Sequence, residues 1–194
     1  IDEARVFHFG TLSLTDEPAR TAIRQAIAYA KSKGKLITCD PNLREPLWKS
    51  ADEAKAQMLW SLAQTDVVKI SDNEVSFLWG CTPEEGADRL LQEFDVSLAM
   101  VTLGSDGCLL KTKAAAFRAP APAVHPIDTT GAGDIFGGSA VARLLELDKA
   151  PQMLTQEDLR YIASYALMAA SLSTERIGGI PSIPAKREVL AAIT

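Results

Sequence analysis

Asp128-Thr129-Thr130-Gly131-Ala132-Gly133-Asp134 is the stretch on which the reading of this chain turns. It lies between an extended, proline-containing segment and a run of helical character. Gly131 and Gly133 lack a Cβ, so a ligand can approach the main chain closely there. The first amides of the helix that follows have no intrahelical acceptor and carry partial positive charge. Such a turn is suited to an anion, and to phosphate in particular. Asp134 stands one residue beyond, where a carboxylate can take a proton from an attacking hydroxyl while the amides hold the group being transferred. The same seven residues also read as a glycine turn with Asp134 capping a helix, so the segment alone leaves both readings open. Two other nucleotide patterns are absent. Phe136 stands where GxGxxG needs its last glycine, and there is no GxxxxGK[ST] loop.

Outward from this point, short apolar runs alternate with amphipathic ones. Val6–Phe9, Leu36–Cys39, Val67–Ile70, Leu98–Thr102 and Cys108–Lys111 read as strands. Ala19, Ala22, Ile23, Ala26, Ile27 and Ala30 recur at helical spacing, and Gly34 suits the stop. Ser50 with Glu53, and Thr82-Pro83-Glu84-Glu85, have the form of capping boxes. Helices are predicted over roughly 51–64, 73–79, 132–146, 156–173 and 185–193, and Ala119–Pro126 is expected to lie extended on the surface. The alternation predicts an α/β fold: a mainly parallel sheet covered on both faces, within one domain spanning 1–194. In such sheets ligands bind at the carboxyl ends of strands. The unusual residues sit there: Gly10, Asp40–Arg44, Ser71–Glu74, Gly104–Gly107 and Asp128–Asp134.

The 194 residues suffice for a sizeable core. The net charge is −5, from 20 basic and 25 acidic residues, with no basic face, so neither nucleic acid nor an anionic membrane is expected as a partner. Three scattered cysteines and two histidines form no zinc spacing and predict buried, reduced thiols in a cytoplasmic protein. No apolar run approaches the ~20 residues of a membrane span. The chain begins at Ile1, and a strand comes almost at once, so further chain is expected upstream.

The Asp128–Asp134 segment, followed by an apolar pair and Gly137, resembles the C-terminal signature of the ribokinase (PfkB) carbohydrate kinases. Val101–Gly107 resembles the strand and turn beside the nucleotide in that family. Thr174–Pro184, with Gly178-Gly179-Ile180-Pro181-Ser182, resembles the loop near the adenine and a monovalent cation. Phe7–Leu14, Asp40–Trp48 and Val68–Asp72 are similar to fructokinases in particular. The resemblance spans essentially the whole chain and corresponds to the C-terminal two-thirds of a typical member, without its early strands and β lid.

The resemblance implies a ribokinase-like three-layer α/β/α sandwich and phosphorylation of a primary sugar hydroxyl by ATP, with fructose 6-phosphate as the expected product. It implies Asp134 as base, Gly131, Ala132 and Gly133 as the anion hole, and Thr102, Gly104, Gly107, Thr130, Gly178, Gly179 and Ser182 around the nucleotide. Asn42 and Asp134 would meet the sugar. Arg44 either neutralises the transferring phosphoryl group or pairs with a nearby acid. Glu74 matches the acid of an Asn-x-x-Glu motif that places Mg2+ through water, with Ser71 in the asparagine slot. The alternative for Glu74 is a solvated acid in a first helical turn. Asp128 and Thr130 are candidates for K+. Asp40 and Asn42 also read as plain turn residues, and Lys69 as either a phosphate contact or a paired lysine. His8 reads as a core or cleft-wall residue, and Trp48, Trp60 and Trp79 as core. A homodimer through the lid is typical of the family. Kinases for 2-keto-3-deoxygluconate, ribose or a nucleoside, and a silent kinase-like interaction module, remain alternative readings.

Overall fold

The computed structural model describes residues 1–193. They form two compact units, Ile1–Val101 and Thr102 onward.

The first unit holds strands β1 (Val6–Gly10), β2 (Leu36–Asp40), β3 (Val67–Ser71) and β4 (Leu98–Thr102, ending one residue into the second unit), side by side in chain order. β1 pairs parallel with β2, Phe7 opposite Ile37 and Phe9 opposite Cys39, and β2 pairs parallel with β3. Parallel pairing requires crossovers. These are supplied by α1 (Ala19–Ser32), α2 (Ala51–Leu62) and the pair α3 (Asp72–Trp79) and α4 (Pro83–Glu93). Phe9, Ile27, Ala30, Ile37 and Cys39 form one buried cluster, with Phe7, Ile23 and Trp60 against it. Each large apolar side chain so buried contributes about 1.5–3 kcal/mol. Val67, Val68 and Ile70 are all fully buried although consecutive strand residues face opposite ways, so both faces of β3 are covered.

The helix ends obey sequence chemistry. Gly34 and Gly80 take left-handed φ after α1 and α3. Thr82 and Glu85 complete the predicted capping box of α4. At α2 only half of the expected box forms. Ser50 accepts from the Glu53 amide, but the Glu53 carboxylate turns to Arg20 at 2.7 Å, because a cation offers a stronger partner than the Ser50 amide.

The second unit contains the antiparallel pair β5 (Cys108–Lys111) and β6 (Ala116–Ala119), then α5 (Ala132–Leu147), α6 (Gln156–Thr174) and α7 (Lys186–Ile193). β6 was not expected from its alanine-rich sequence; pairing with β5 supplies what local propensity does not. α5 packs along α6, and α6 also covers β5 and β6. An unanticipated capping box, Thr155 with Asp158, starts α6, and Lys149 reaches the same carboxylate at 2.8 Å.

The expectations for His8, Trp60 and Trp79 change. His8 is exposed on β1, where its ring bonds the Thr38 hydroxyl at 2.9 Å, because its side chain alternates with the inward Phe7 and Phe9. Of the three tryptophans only Trp48 is buried. Trp60 and Trp79 are half-buried and lie under the guanidinium groups of Arg24 and Arg89. The cysteines are free, Cys39 and Cys108 buried, and burial pushes the Cys108 thiol up to about 12.

Candidate active site

The second unit contains a pocket of about 520 Å³. Its walls come from the end of β4 and the turn after it (Thr102, Gly104, Ser105, Gly107), the extended segment (Ala121–Val124 and Pro126), and the start of α5 (Thr129, Ala132, Gly133, Phe136). α6 closes it with Leu167, Ala170, Ser171 and Thr174. The proline-containing stretch is therefore a wall and not merely surface chain. Its half-buried residues turn toward the pocket.

Each wall is set by local chemistry. At Gly107 φ is +97°, and a Cβ would lie 1.9 Å from the Ala119 carbonyl oxygen, so the turn between β4 and β5 admits only glycine. Gly131 is the N-cap of α5 at φ 78°, and a Cβ there would meet the Cα of Gly179 at 3.3 Å. The last carbonyls of α6 lack intrahelical donors. Thr174 O accepts the Ile127 and Asp128 amides at 2.8 and 3.1 Å, which ties the approach to α5 onto the end of α6.

Asp128 braces the anion turn against the loop after α6. Its Oδ1 accepts the Thr130 amide at 2.9 Å and its Oδ2 the Gly178 amide at 2.7 Å. The Thr130 side chain, then these amides, hold its carboxyl down to about 2. Ser182 is fully buried and donates its hydroxyl to Gly179 O at 2.7 Å. Thr130, Gly178, Gly179 and Ser182 thus build the loop beside the anion turn and are not pocket wall, whereas Thr102, Gly104 and Gly107 are wall.

Of the expected anion hole, the Ala132 amide is turned inward onto Thr129 O at 3.2 Å. The amides of Gly131, Gly133 and Asp134 have no acceptor among the described residues. Asp134, in the first turn of α5, is exposed, and its carboxylate has no hydrogen-bond partner among the described residues. Phe136, Leu167, Ala170 and Ser171 escaped the sequence reading as site residues, because an apolar helix face reads as core whether it meets protein or ligand.

In the first unit, the segment after β2 carries Asn42 and Arg44. Asp40 is buried, pairs with Lys69 at 2.9 Å and accepts the Asn42 amide at 3.1 Å, so Lys69 is paired as one reading had it. Arg44 is exposed and its guanidinium donates to Leu43 O at 2.9 Å, with no acid paired to it among the described residues. Glu74 is buried, not solvated. It completes a capping box with Ser71, and its Oε1 accepts the Leu43 amide at 2.7 Å. Ser71 fits its slot because a hydroxyl accepts the Glu74 amide as a cap must.

The residues present fit metal ions unevenly. Among the described residues no group of three or more His, Cys, Asp or Glu could hold one. Glu74 already accepts three protein donors, which leaves it room for contact through water at most. Mg2+ commonly keeps several waters and takes phosphate oxygens as ligands, so this sparse set suits an ion brought by a nucleotide. Asp128, bonded by two amides and the Thr130 side chain, keeps one acceptor position, enough for a single contact to a weakly held monovalent cation.

No described helix is long and apolar enough to cross a membrane. The pfkB family of carbohydrate kinases matches residues 1–186. Maize fructokinase-1 is 39% identical over 196 residues, covering 100% of this chain and 59% of the maize protein. A fructokinase double mutant from Vibrio cholerae, in its fructose-, ADP- and potassium-bound form, superposes with a TM-score of 0.88 at 31% identity, over 97% of this chain and 60% of that one. Aminoimidazole riboside kinase from Salmonella enterica, complexed with aminoimidazole riboside and an ATP analogue, gives 0.83 at 29% identity, over 97% and 62%. The fold is ribokinase-like α/β, as the motifs implied. The chain spans about three-fifths of the length of these relatives.

Proposed function

Since the chain belongs to the pfkB family of carbohydrate kinases, we propose that it is the nucleotide-binding and catalytic portion of an ATP-dependent sugar kinase acting on fructose. ATP would lie in the pocket, with its γ-phosphate toward the free amides of Gly131, Gly133 and Asp134. Asp134 accepts the proton of a primary sugar hydroxyl. That oxygen forms a bond to the γ-phosphorus, the bond from γ-phosphorus to the β,γ-bridging oxygen breaks, and ADP departs. Bound Mg2+ would neutralise phosphate charge, with Glu74 reaching it only through water. Phosphoryl transfer of this kind needs mainly positioning and charge neutralisation. From the first unit, Asn42 is assigned to the sugar and Arg44 to the transferring phosphoryl group. Asp128 and Thr130 are assigned to K+.

The observation that carries this reading is the exposed, unpaired Asp134 carboxylate beside unpartnered amides at the start of α5. Fructose is favoured as acceptor by the fructokinase relatives in both comparisons. The test is full-length protein carrying Asp134→Asn. The exposed site predicts an unchanged fold with kcat lowered by about 10²–10⁴-fold. Wild-type turnover of fructose and ATP by that variant would end the assignment. A substrate panel showing a preference for another sugar or a riboside would move the acceptor while leaving the kinase reading intact.

A further inference from the structure

Three buried side chains of the first unit, one of them braced by a fourth, converge on the backbone of three residues. Thr11 holds Pro41 O through its amide at 3.3 Å and through its hydroxyl. Asp40, braced by Lys69, holds the Asn42 amide, and Asn42 sits at φ 51°, a left-handed conformation that needs support. Glu74 Oε1 holds the Leu43 amide, while its Oε2 is occupied by the Ser71 amide and hydroxyl at 2.8 and 2.9 Å. Thr11, Asp40, Lys69 and Glu74 are each no more than 9% exposed. Buried polar groups bonded to each successive residue of a short loop restrict its conformation. The next residue, Arg44, is exposed; its carbonyl accepts the Leu47 amide at 2.9 Å, and its guanidinium bonds only the Leu43 carbonyl among the described residues.

We infer that Glu74 is a positioning residue that clamps the 41–43 loop through the Leu43 amide and thereby aims Arg44. Its three protein donors make any contact with metal, through water at most, secondary to this role. The role of Arg44 rests on the proposed kinase activity, but the clamp itself does not.

The test compares Glu74→Leu, Glu74→Gln, Arg44→Ala and Glu74→Leu/Arg44→Ala in the full-length protein, with fructose and ATP across a Mg2+ titration. Glutamine is expected to rescue only in part, because its single amide oxygen can accept from Leu43 or from Ser71 but not from both, whereas leucine accepts from neither. The clamp predicts kcat/KM down about 100-fold in Glu74→Leu, as for a misplaced charge. It predicts a smaller loss in Glu74→Gln than in Glu74→Leu, and no further loss from Glu74→Leu once Arg44 is gone. The Mg2+ concentration for half-maximal rate stays constant throughout. A shift in that concentration, an equal loss in both Glu74 variants, or losses that multiply with Arg44→Ala would overturn the inference. Trypsin cleavage after Arg44 is a second readout independent of turnover. It should accelerate in Glu74→Leu and in the milder Thr11→Val; unchanged cleavage in a folded Thr11→Val protein and in Glu74→Leu would also overturn the clamp. Wild-type activity in Arg44→Ala, with cleavage after Arg44 accelerated as expected in Glu74→Leu and Thr11→Val, would instead retain the clamp and remove Arg44 from the proposed chemistry.

Discussion

The Asp128 carboxylate holds the Gly178 amide at 2.7 Å across fifty residues of chain, and so joins the turn before α5 to the loop after α6. Beside that bond, a Cβ added to Gly131 would lie 3.3 Å from the Gly179 Cα, so the two segments run close. The anion turn is therefore not a free-standing local motif, since its shape depends on a loop near the other end of the unit.

For Asp128 the expected consequence is a pH-dependent loss. Its carboxyl is held down to about 2 from an ordinary 3.8 by the Thr130 side chain and then by the Gly178 and Thr130 amides. A depressed carboxyl stabilises the folded state fully above its unfolded value and loses that contribution as pH falls through the folded value. The melting temperature of Asp128→Asn should lie below wild type at pH 6, and the two should converge between about pH 4 and pH 2. Nucleotide affinity, measured by calorimetry at pH 7, should also fall in the variant.

Two glycines of one region should respond with opposite sign. Gly131→Ala places a Cβ at φ 78° against Gly179 and should cost about 1–2 kcal/mol, with weaker ATP binding. Gly138→Ala, within α5 and with nothing within 4 Å of the added Cβ, should stabilise by about 0.5–1 kcal/mol. Urea unfolding of both variants checks the pair.

Lys69→Met removes the cation paired with the Asp40 carboxylate, whose side chain is only 9% exposed. Breaking a buried pair on one side typically costs about 3–5 kcal/mol, whereas neutralising both partners costs far less. Chemical denaturation should therefore find Asp40→Asn/Lys69→Met more stable than Lys69→Met alone.

At the start of α6, Asp158 caps Thr155 and pairs with Lys149, which together hold its carboxyl near 2, the lysine contributing most. Asp158→Ala should destabilise by about 1 kcal/mol at neutral pH, as for loss of a cap. The same sign applies as for Asp128: the gap between wild type and variant closes as pH drops from about 4 toward 2. Thermal melts across that range measure it.

The order of β1 to β5 and of the α-helices, most helix ends and the glycine turn before α5 were legible in the sequence. They depend on nearest-neighbour chemistry: apolar periodicity, Thr82 with Glu85, Gly34 after α1, and glycines flanking Ala132. Tertiary structure decided what residues far apart in sequence do to one another. It turned Glu53 from its box to Arg20, paired alanine-rich β6 with β5, and made a wall of the proline stretch. It also gave Glu74 to the Leu43 amide thirty-one residues away and Asp128 to Gly178. Side-chain type and spacing fix which groups are available to bond. Only the packed chain fixes which of several eligible partners lies within reach, because a hydrogen bond is won by distance and direction that local sequence does not encode.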